Sequence, residues 1–596
     1  MTNKTAHTFH IPVMGTGYTV NTPLHVAQYG ISSVVSIVDD MLLENLREFY
    51  SKQHSLPFLP ISDKTLDCRA QRITAYLNLM DKMVKNKFEE VKESFLEKGK
   101  EFEKYMDLLP DVSSLKKEIQ NKLNNNPIVK DIKNWLNDNL PMGTIDVNIM
   151  TKVDKENTFE GEKLPHEYND AHAALRGFAN STLESSLVLS AGMNPRLYGY
   201  LEQFDDFFPN EEGYIKKKIV LKVSDYRSAL IQGKFLAKKG IWVSEYRIES
   251  GLNCGGHAFA TEGHLMGPIL EEFKANRSDL IADTSELLFA ALQTKNRPVP
   301  KENLELKITA QGGVGTADEQ EFLMDYYGID SVGWGSPFLL VPEVCDVDEK
   351  TFKTLAEAKE DDLYLSHSSP LGVRFNNLKG NTRDQGKLEM IKAGKPGSIC
   401  TKRLLVATKE YTDEPICTAS RQYQNLKIKD LKSQNLSKEE FDAEILKMSQ
   451  KSCLCKGLSA SSYLVNKLDT TADGEGVSIC PGPNMAYFSE KASFKQMVDH
   501  IYGRMNLIKR TDRPNMFAKE LNIYIDYLKE QIADLKDPDK KALRNLEKFK
   551  GNLLAGIEYY NSLSEKIKGQ FDQFKGHIQD DITRLETELI QIKLLS

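Results

Sequence analysis

Short apolar runs recur along the first 345 residues of this chain, each followed by an amphipathic helical stretch. That rhythm predicts a parallel βαβ architecture, because a strand covered on both faces reads as a nearly continuous apolar run. Strands are predicted at Ile11 to Met14, Ser33 to Val38, Ile145 to Met150 and Ser186 to Ser190. Further strands are predicted at Ile219 to Val223, Ile241 to Tyr246, Leu306 to Ala310 and Ser331 to Trp334. Helical segments such as Arg227 to Lys239 separate them at crossover length. Eight units of this kind imply an α/β protein with a closed (β/α)8 TIM barrel over residues 1–345, with a doubly wound open sheet as the alternative.

The rhythm breaks in other segments. Over about 62–140 the pattern turns charged and helical, as in Met83 to Tyr105, and predicts a helical insertion after the second strand. Residues 346–510 are rich in Lys, Ser, Gly and Cys without clear periodicity, and are expected to form a Cys-rich, mostly irregular accessory region. Residues 511–596 are charged and helical, as in Leu543 to Leu554 and Ile582 to Leu595, and suit a helical hairpin or a homo-oligomer contact.

Composition narrows the function. A chain of 596 residues is too long for one compact core. A net charge of -7 and a pI near 6.0 argue against a nucleic-acid binder. There is no run of about 18 apolar residues to span a membrane. Met1 to His10 lacks the basic and apolar regions of a signal peptide, so a cytoplasmic location is expected, with the cysteines as thiols or metal ligands.

Candidate chemistry gathers at predicted strand ends. Ala310-Gln311-Gly312-Gly313-Val314-Gly315-Thr316 lies between a strand and a helix, where glycines let backbone N–H groups approach a phosphate. A tight turn is the plainer alternative. Val332-Gly333-Trp334-Gly335-Ser336 is a second glycine-rich strand end, and loops after the last two barrel strands are the usual phosphate site. Gly251-Leu252-Asn253-Cys254-Gly255-Gly256-His257 would present His257 at the barrel's carboxyl end as a general acid or base, against the alternative of a structural histidine. Asp39-Asp40 after the second strand reads as a helix cap before it reads as chemistry.

Lys222-Val223-Ser224, Gly255-Gly256-His257 and the Gln311 to Thr316 loop occur in an order that resembles the nitronate monooxygenase family of FMN barrels. That family includes FMN-dependent enoyl reductases and the enoyl reductase component of polyunsaturated fatty acid synthases, the last being nearest in spelling. The resemblance covers about residues 10–345. It implies FMN as cofactor, with Gly312, Gly313, Gly315, Gly335 and Ser336 around the phosphate. It places Lys222, Gly255 and Gly256 beside the flavin, Gly15, Thr16 and Gly17 near the isoalloxazine, and His257 as the catalytic acid or base. Asn253 and Cys254 depart from the acidic and small residues usual before Gly-Gly-His. Ser366 to Pro370 and on to Lys379-Gly380 also resembles a segment that follows the barrel in the polyunsaturated enoyl reductases.

Cys400, Cys417, Cys453, Cys455 and Cys480 crowd one stretch of the chain. Cys417, Cys453, Cys455 and Cys480 form a candidate ligand set for an iron–sulfur cluster or zinc, with inert buried thiols as the alternative. The sequence therefore predicts a flavin-dependent oxidoreductase acting on a small-molecule or acyl-carrier-linked substrate, with an activated acyl- or enoyl-thioester-like carbon. NAD(P)H is a compatible donor, since barrel flavoenzymes bind it without a Rossmann motif. The alternative is a non-catalytic or zinc-binding scaffold.

Overall fold

The structure, a computed structural model, describes residues 5–96, 99–124, 129–151, 153–190, 192–535, 540–567, 571 and 578–594. Its centre is a closed barrel of parallel strands: β1 (Phe9–Ile11), β2 (Ser32–Ser36), β3 (Ile145–Ile149), β4 (Ser185–Leu189), β5 (Lys217–Val223), β6 (Val243–Glu249), β7 (Lys307–Gln311) and β8 (Ser331–Gly333). Neighbours in sequence pair around the ring, and β1 closes it against β8 with Phe9 opposite Val332. This is the predicted (β/α)8 barrel.

Two strands differ from their predicted limits for physical reasons. β1 lies earlier than expected and ends before Pro12, which has no N–H to give the ladder. β6 lies later because its charged positions are accommodated inside the ring, where Arg247 Nη2 is 2.7 Å from Glu245 Oε1. Thr309 Oγ1 on β7 also donates to Glu245 Oε1 at 2.6 Å. Val34, Val188 and Val220, with Val13 against them, form a separate small apolar cluster.

The insertion between β2 and β3 is helical, at Cys68–Leu96, Lys100–Leu108, Ser114–Asn124 and Val129–Asn139. Its first helix is tied to the barrel, since Arg69 and Arg72 donate to the two oxygens of Asp40 at 2.6 and 2.9 Å. Asp39 caps the Asp40–Gln53 helix by accepting from the Leu42 amide at 3.2 Å.

Residues 346–510, expected to be mostly irregular, hold helices at Arg421–Ser433, Lys438–Ser449 and Leu454–Val465, among others. They also hold an antiparallel pair, β9 (Leu363–Ser366) and β10 (Phe375–Leu378). Leu454–Val465 is buried along nearly its whole length, so it has no polar face to betray a helical period. The tail helices Met516–Asp534, Lys540–Lys566 and Ile578–Gln591 pack together and onto the long helix Met266–Thr294. Among the described residues no helix is long and apolar enough to cross a membrane.

Candidate active site

Strand ends converge on a cavity of about 250 Å³ at the carboxyl face of the barrel. Ser36, Asn148, Ser190, Lys222 and Glu249 come from five strands or their ends, and the accessory region roofs the space with Leu404, Leu405, Leu454, Leu458 and Phe375. A smaller cavity of about 110 Å³ adjoins it between the β7 and β8 loops and Pro481-Gly482. Both are walled by Gly15, Lys222, Glu249, Cys254 and Gly256. The accessory region is thus part of the site: the Gly17 amide donates to the Leu458 carbonyl at 3.0 Å, and the Gly256 amide to the Cys480 carbonyl at 3.1 Å.

The small cavity is floored by the loop after β7. Gly312 and Gly313 have φ of +109° and +89°, a region that L side chains rarely adopt. A Cβ on Gly313 would lie 2.0 Å from Asn253 Nδ2. Among the described residues the amides of Gly312, Gly313 and Ser336 have no hydrogen-bond acceptor. Ser336 Oγ accepts from the Gly482 amide at 2.7 Å, which leaves the hydroxyl proton for a ligand.

Behind this loop lies a buried network supplied by the tail. Arg513 donates to Glu319 from Nη1 and Nη2 at 2.8 Å each, to the Gly313 carbonyl at 2.9 Å, and from Nε to Asn484 Oδ1 at 2.9 Å. Glu319 also accepts from the amides of Gly315 and Met516, both at 2.8 Å. Asn484 donates to the Val314 carbonyl at 2.7 Å. The Gly313 and Val314 carbonyls are therefore held by side chains distant in sequence, and the Gly315 amide by Glu319 of the helix that follows. On the opposite wall, Glu520 accepts from Ser250 Oγ at 2.5 Å and from the Met266 amide at 2.9 Å. Burial pushes its carboxyl up to about 7, against the pull of those two hydrogen bonds.

In the larger cavity Lys222 Nζ lies 3.1 Å from Glu249 Oε1, which also accepts from Gln311 Nε2 at 2.5 Å. Cys254 stays a thiol, its pKa pushed up to about 12 by burial and then by the Glu249 charge. Among the described residues Asn148 Oδ1 in the larger cavity and Asn253 Oδ1 in the smaller one are buried acceptors without a donor. Each such group costs about 1–3 kcal/mol, which a ligand carrying N–H or O–H donors would offset. His257 Nε2 is 2.7 Å from Ser369 Oγ, and its ring meets Phe375 edge-on at 4.9 Å. Asn376 beside it donates to the carbonyls of Cys254 and Gly256 at 2.7 and 3.2 Å, so β10 fixes the loop that carries the histidine.

Of the residues singled out in the sequence, Gly15, Thr16, Lys222, Gly255, Gly256, Gly312, Gly313, Gly335, Ser336 and His257 all line one or both cavities. Gly17 packs instead against the backbone of Leu458 and Ser459, and the Gly315 amide is committed to Glu319. The four cysteines of the candidate ligand set are not arranged as a metal site among the described residues. Cys453 caps the Leu454–Val465 helix and Cys455 lies within its first turn, Cys480 lies at the barrel mouth, and Cys417 packs with Val406, Ala419 and Cys400. Among the described residues no three His, Cys, Asp or Glu side chains are grouped to hold a metal ion. Cys400 is hydrogen-bonded to Cys417, with Cys455 within electrostatic reach of both, while Cys480 lines the barrel mouth; burial raises the thiols of Cys455 and Cys480.

Sequence reasoning missed Glu249, Gln311, Ser369 and Arg513. The alternation Glu245, Arg247, Glu249 was a usable signal, since residues two apart on a strand share a face. For Arg513 no local signal exists.

No family model matches this chain, and no curated protein matches it. Among solved structures, FabK from Thermotoga maritima is similar at 13% identity and a TM-score of 0.31, covering 68% of this chain and 84% of its own. The enoyl reductase domain of MlnA from the macrolactin cluster of Bacillus amyloliquefaciens aligns at 14% identity and a TM-score of 0.33, covering 68% and 89%. Nitroalkane oxidase from Streptomyces ansochromogenes aligns at 9% identity and a TM-score of 0.36, covering 83% and 94%. With superpositions this loose, what the pocket binds has to be argued from its own residues.

Proposed function

We propose that this chain is an FMN-dependent oxidoreductase acting on an activated, acyl- or enoyl-thioester-like carbon. The observation that carries the reading is the pair Gly312-Gly313, whose uncommitted amides lie at one end of two adjoining cavities, with Lys222 on the wall of both and His257 in the farther one. A phosphate fits the glycine end, where backbone N–H groups and the Ser336 hydroxyl supply donors. A ring system with an N–H edge fits the buried Asn148 acceptor of the larger cavity. Bound FMN would supply hydride transfer to or from carbon.

The chain's own residues do the rest. Lys222 brings a positive charge to the cavity, and Glu249 with Gln311 fixes its direction. The leucine roof excludes water and suits an apolar acyl segment. His257 gives or takes the substrate proton, with its ring orientation set by Ser369 at Nε2. In the reductive direction an external donor of two electrons, NAD(P)H among the compatible ones, completes turnover.

His257→Gln tests the assignment. The variant should bind FMN as the parent does while losing about 10²–10⁴ in turnover of an enoyl thioester. Equal turnover in parent and variant would remove His257 from the chemistry.

A further inference from the structure

A second and larger space opens on the same barrel face. It is a cleft of about 860 Å³ at the carboxyl ends of β2 and β3, walled by the Asp40–Gln53 helix, residues 63–72, the turn around Phe159, and accessory residues 401–404 and 463–473. Leu404 belongs to its wall and to that of the flavin cavity, so the two spaces adjoin at this residue. The cavity by the strand ends is small, and a flavin would occupy much of it. A substrate larger than its reacting group must extend beyond it.

The charges of the cleft are sorted. Arg69 and Arg72 are tied to Asp40, and Arg72 also to Asp63. Lys155 pairs with Asp170, Lys52 with Glu48, and Lys402 with Asp39 and Asp473. Asp67 is held by Arg176. Asp469 is outside any ion pair but accepts from the amide and hydroxyl of Thr471. Arg403 and Lys467 are exposed and, among the described residues, no carboxylate takes either head group. Seven cations and seven carboxylates line the cleft, so it is balanced as a whole, and the charges left outside ion pairs among the described residues are Arg403 and Lys467 against Asp469.

The backbone holds these two cations in place. Arg403 has φ of +54°, strain that a bulky residue accepts only when its surroundings impose it. Buried Lys402 imposes it from one side through Asp39 and Asp473, and buried Leu404 from the other. Lys467 stands on the turn that ends the Leu454–Val465 helix, where the Leu468 amide returns to the Tyr463 carbonyl at 2.9 Å.

We infer that this cleft is a second ligand site, which takes the phosphate-bearing end of a substrate through Arg403 and Lys467 while the reacting end passes Leu404 into the flavin cavity. A guanidinium and an ammonium match the roughly -1.5 to -2 charge of a phosphate monoester at neutral pH. The inference rests on the proposed oxidoreductase reading for the reacting end, but not for the anion site itself.

The test pairs kinetics with binding on the FMN-loaded full chain. One enoyl group is offered on coenzyme A and on N-acetylcysteamine, which lacks phosphate. The parent should show a KM at least about tenfold lower for the coenzyme A thioester. Arg403→Ser combined with Lys467→Ser should abolish that preference while leaving kcat and the KM of the phosphate-free thioester unchanged. Separately, inorganic pyrophosphate titrated by calorimetry should bind the parent and not the double variant. Loss of pyrophosphate binding in the variant, with neither thioester turned over, would uphold the anion site and reject the acyl reading. A preference that survives the double substitution, or pyrophosphate binding that does not change, overturns the proposal.

Discussion

Replacing Arg513 by alanine is expected to weaken FMN binding about 100-fold or more. The guanidinium is 8% exposed and bridges the Gly313 carbonyl, Glu319 and Asn484, so its removal leaves the Glu319 carboxylate buried without its counter-ion. Breaking a buried pair from one side typically costs about 3–5 kcal/mol. Part of that cost falls on the whole fold and lowers the melting temperature. The rest falls on the glycine loop, which loses the contact that fixes its carbonyl and, through Glu319, the contact that fixes the Gly315 amide. Arg513→Met with Glu319→Gln removes both charges and should regain a large part of the melting temperature but little of the FMN affinity. Equilibrium dialysis and thermal melts on the single and double variants check this, and full affinity in Arg513→Ala would show that the clamp is idle.

The second large effect is expected at Gly313. Gly313→Ala must hold a Cβ at φ +89° and place it 2.0 Å from Asn253 Nδ2. Asn253 is buried, and that amide donates to the Met516 carbonyl at 3.4 Å, so it has little freedom to retreat. Backbone strain alone costs about 1–3 kcal/mol, and a shift of the loop would also misdirect the amides offered to the phosphate. A loss of FMN affinity of about 100-fold follows. Gly474→Ala is the control, since Gly474 has φ of +75° with open space around it. It should lose stability from strain while binding FMN normally. Equal affinity losses at both positions, read by flavin fluorescence, would mean that the loop is not a phosphate cradle.

The barrel was legible because strands such as Ser185–Leu189 and Lys217–Val223 hold apolar runs, and the inward layers left their mark on the alternation of β6. The glycine loops were legible because positive φ and close approach admit few other residues. The roof of the site was not. Leu404 and Leu458 act only because the accessory region folds back over the barrel, and nothing in their local spelling distinguishes them from core or loop. Arg513 is the extreme case, lying 200 residues from the Gly313 carbonyl it holds. The cysteines show the converse, a conspicuous local pattern that the fold gathers in part without arranging it as a metal site among the described residues. Burial on all sides also hid the Leu454–Val465 helix, because a period is visible only where one face is polar.

The most direct measurement is a titration of the cofactor-free full chain with FMN and, in parallel, with riboflavin, followed by flavin fluorescence and the visible spectrum. One FMN should bind per chain, and riboflavin at least about 100-fold more weakly, because the glycine end of the site recognises the phosphate. Riboflavin binding as tightly as FMN, or no binding of either, would contradict that expectation.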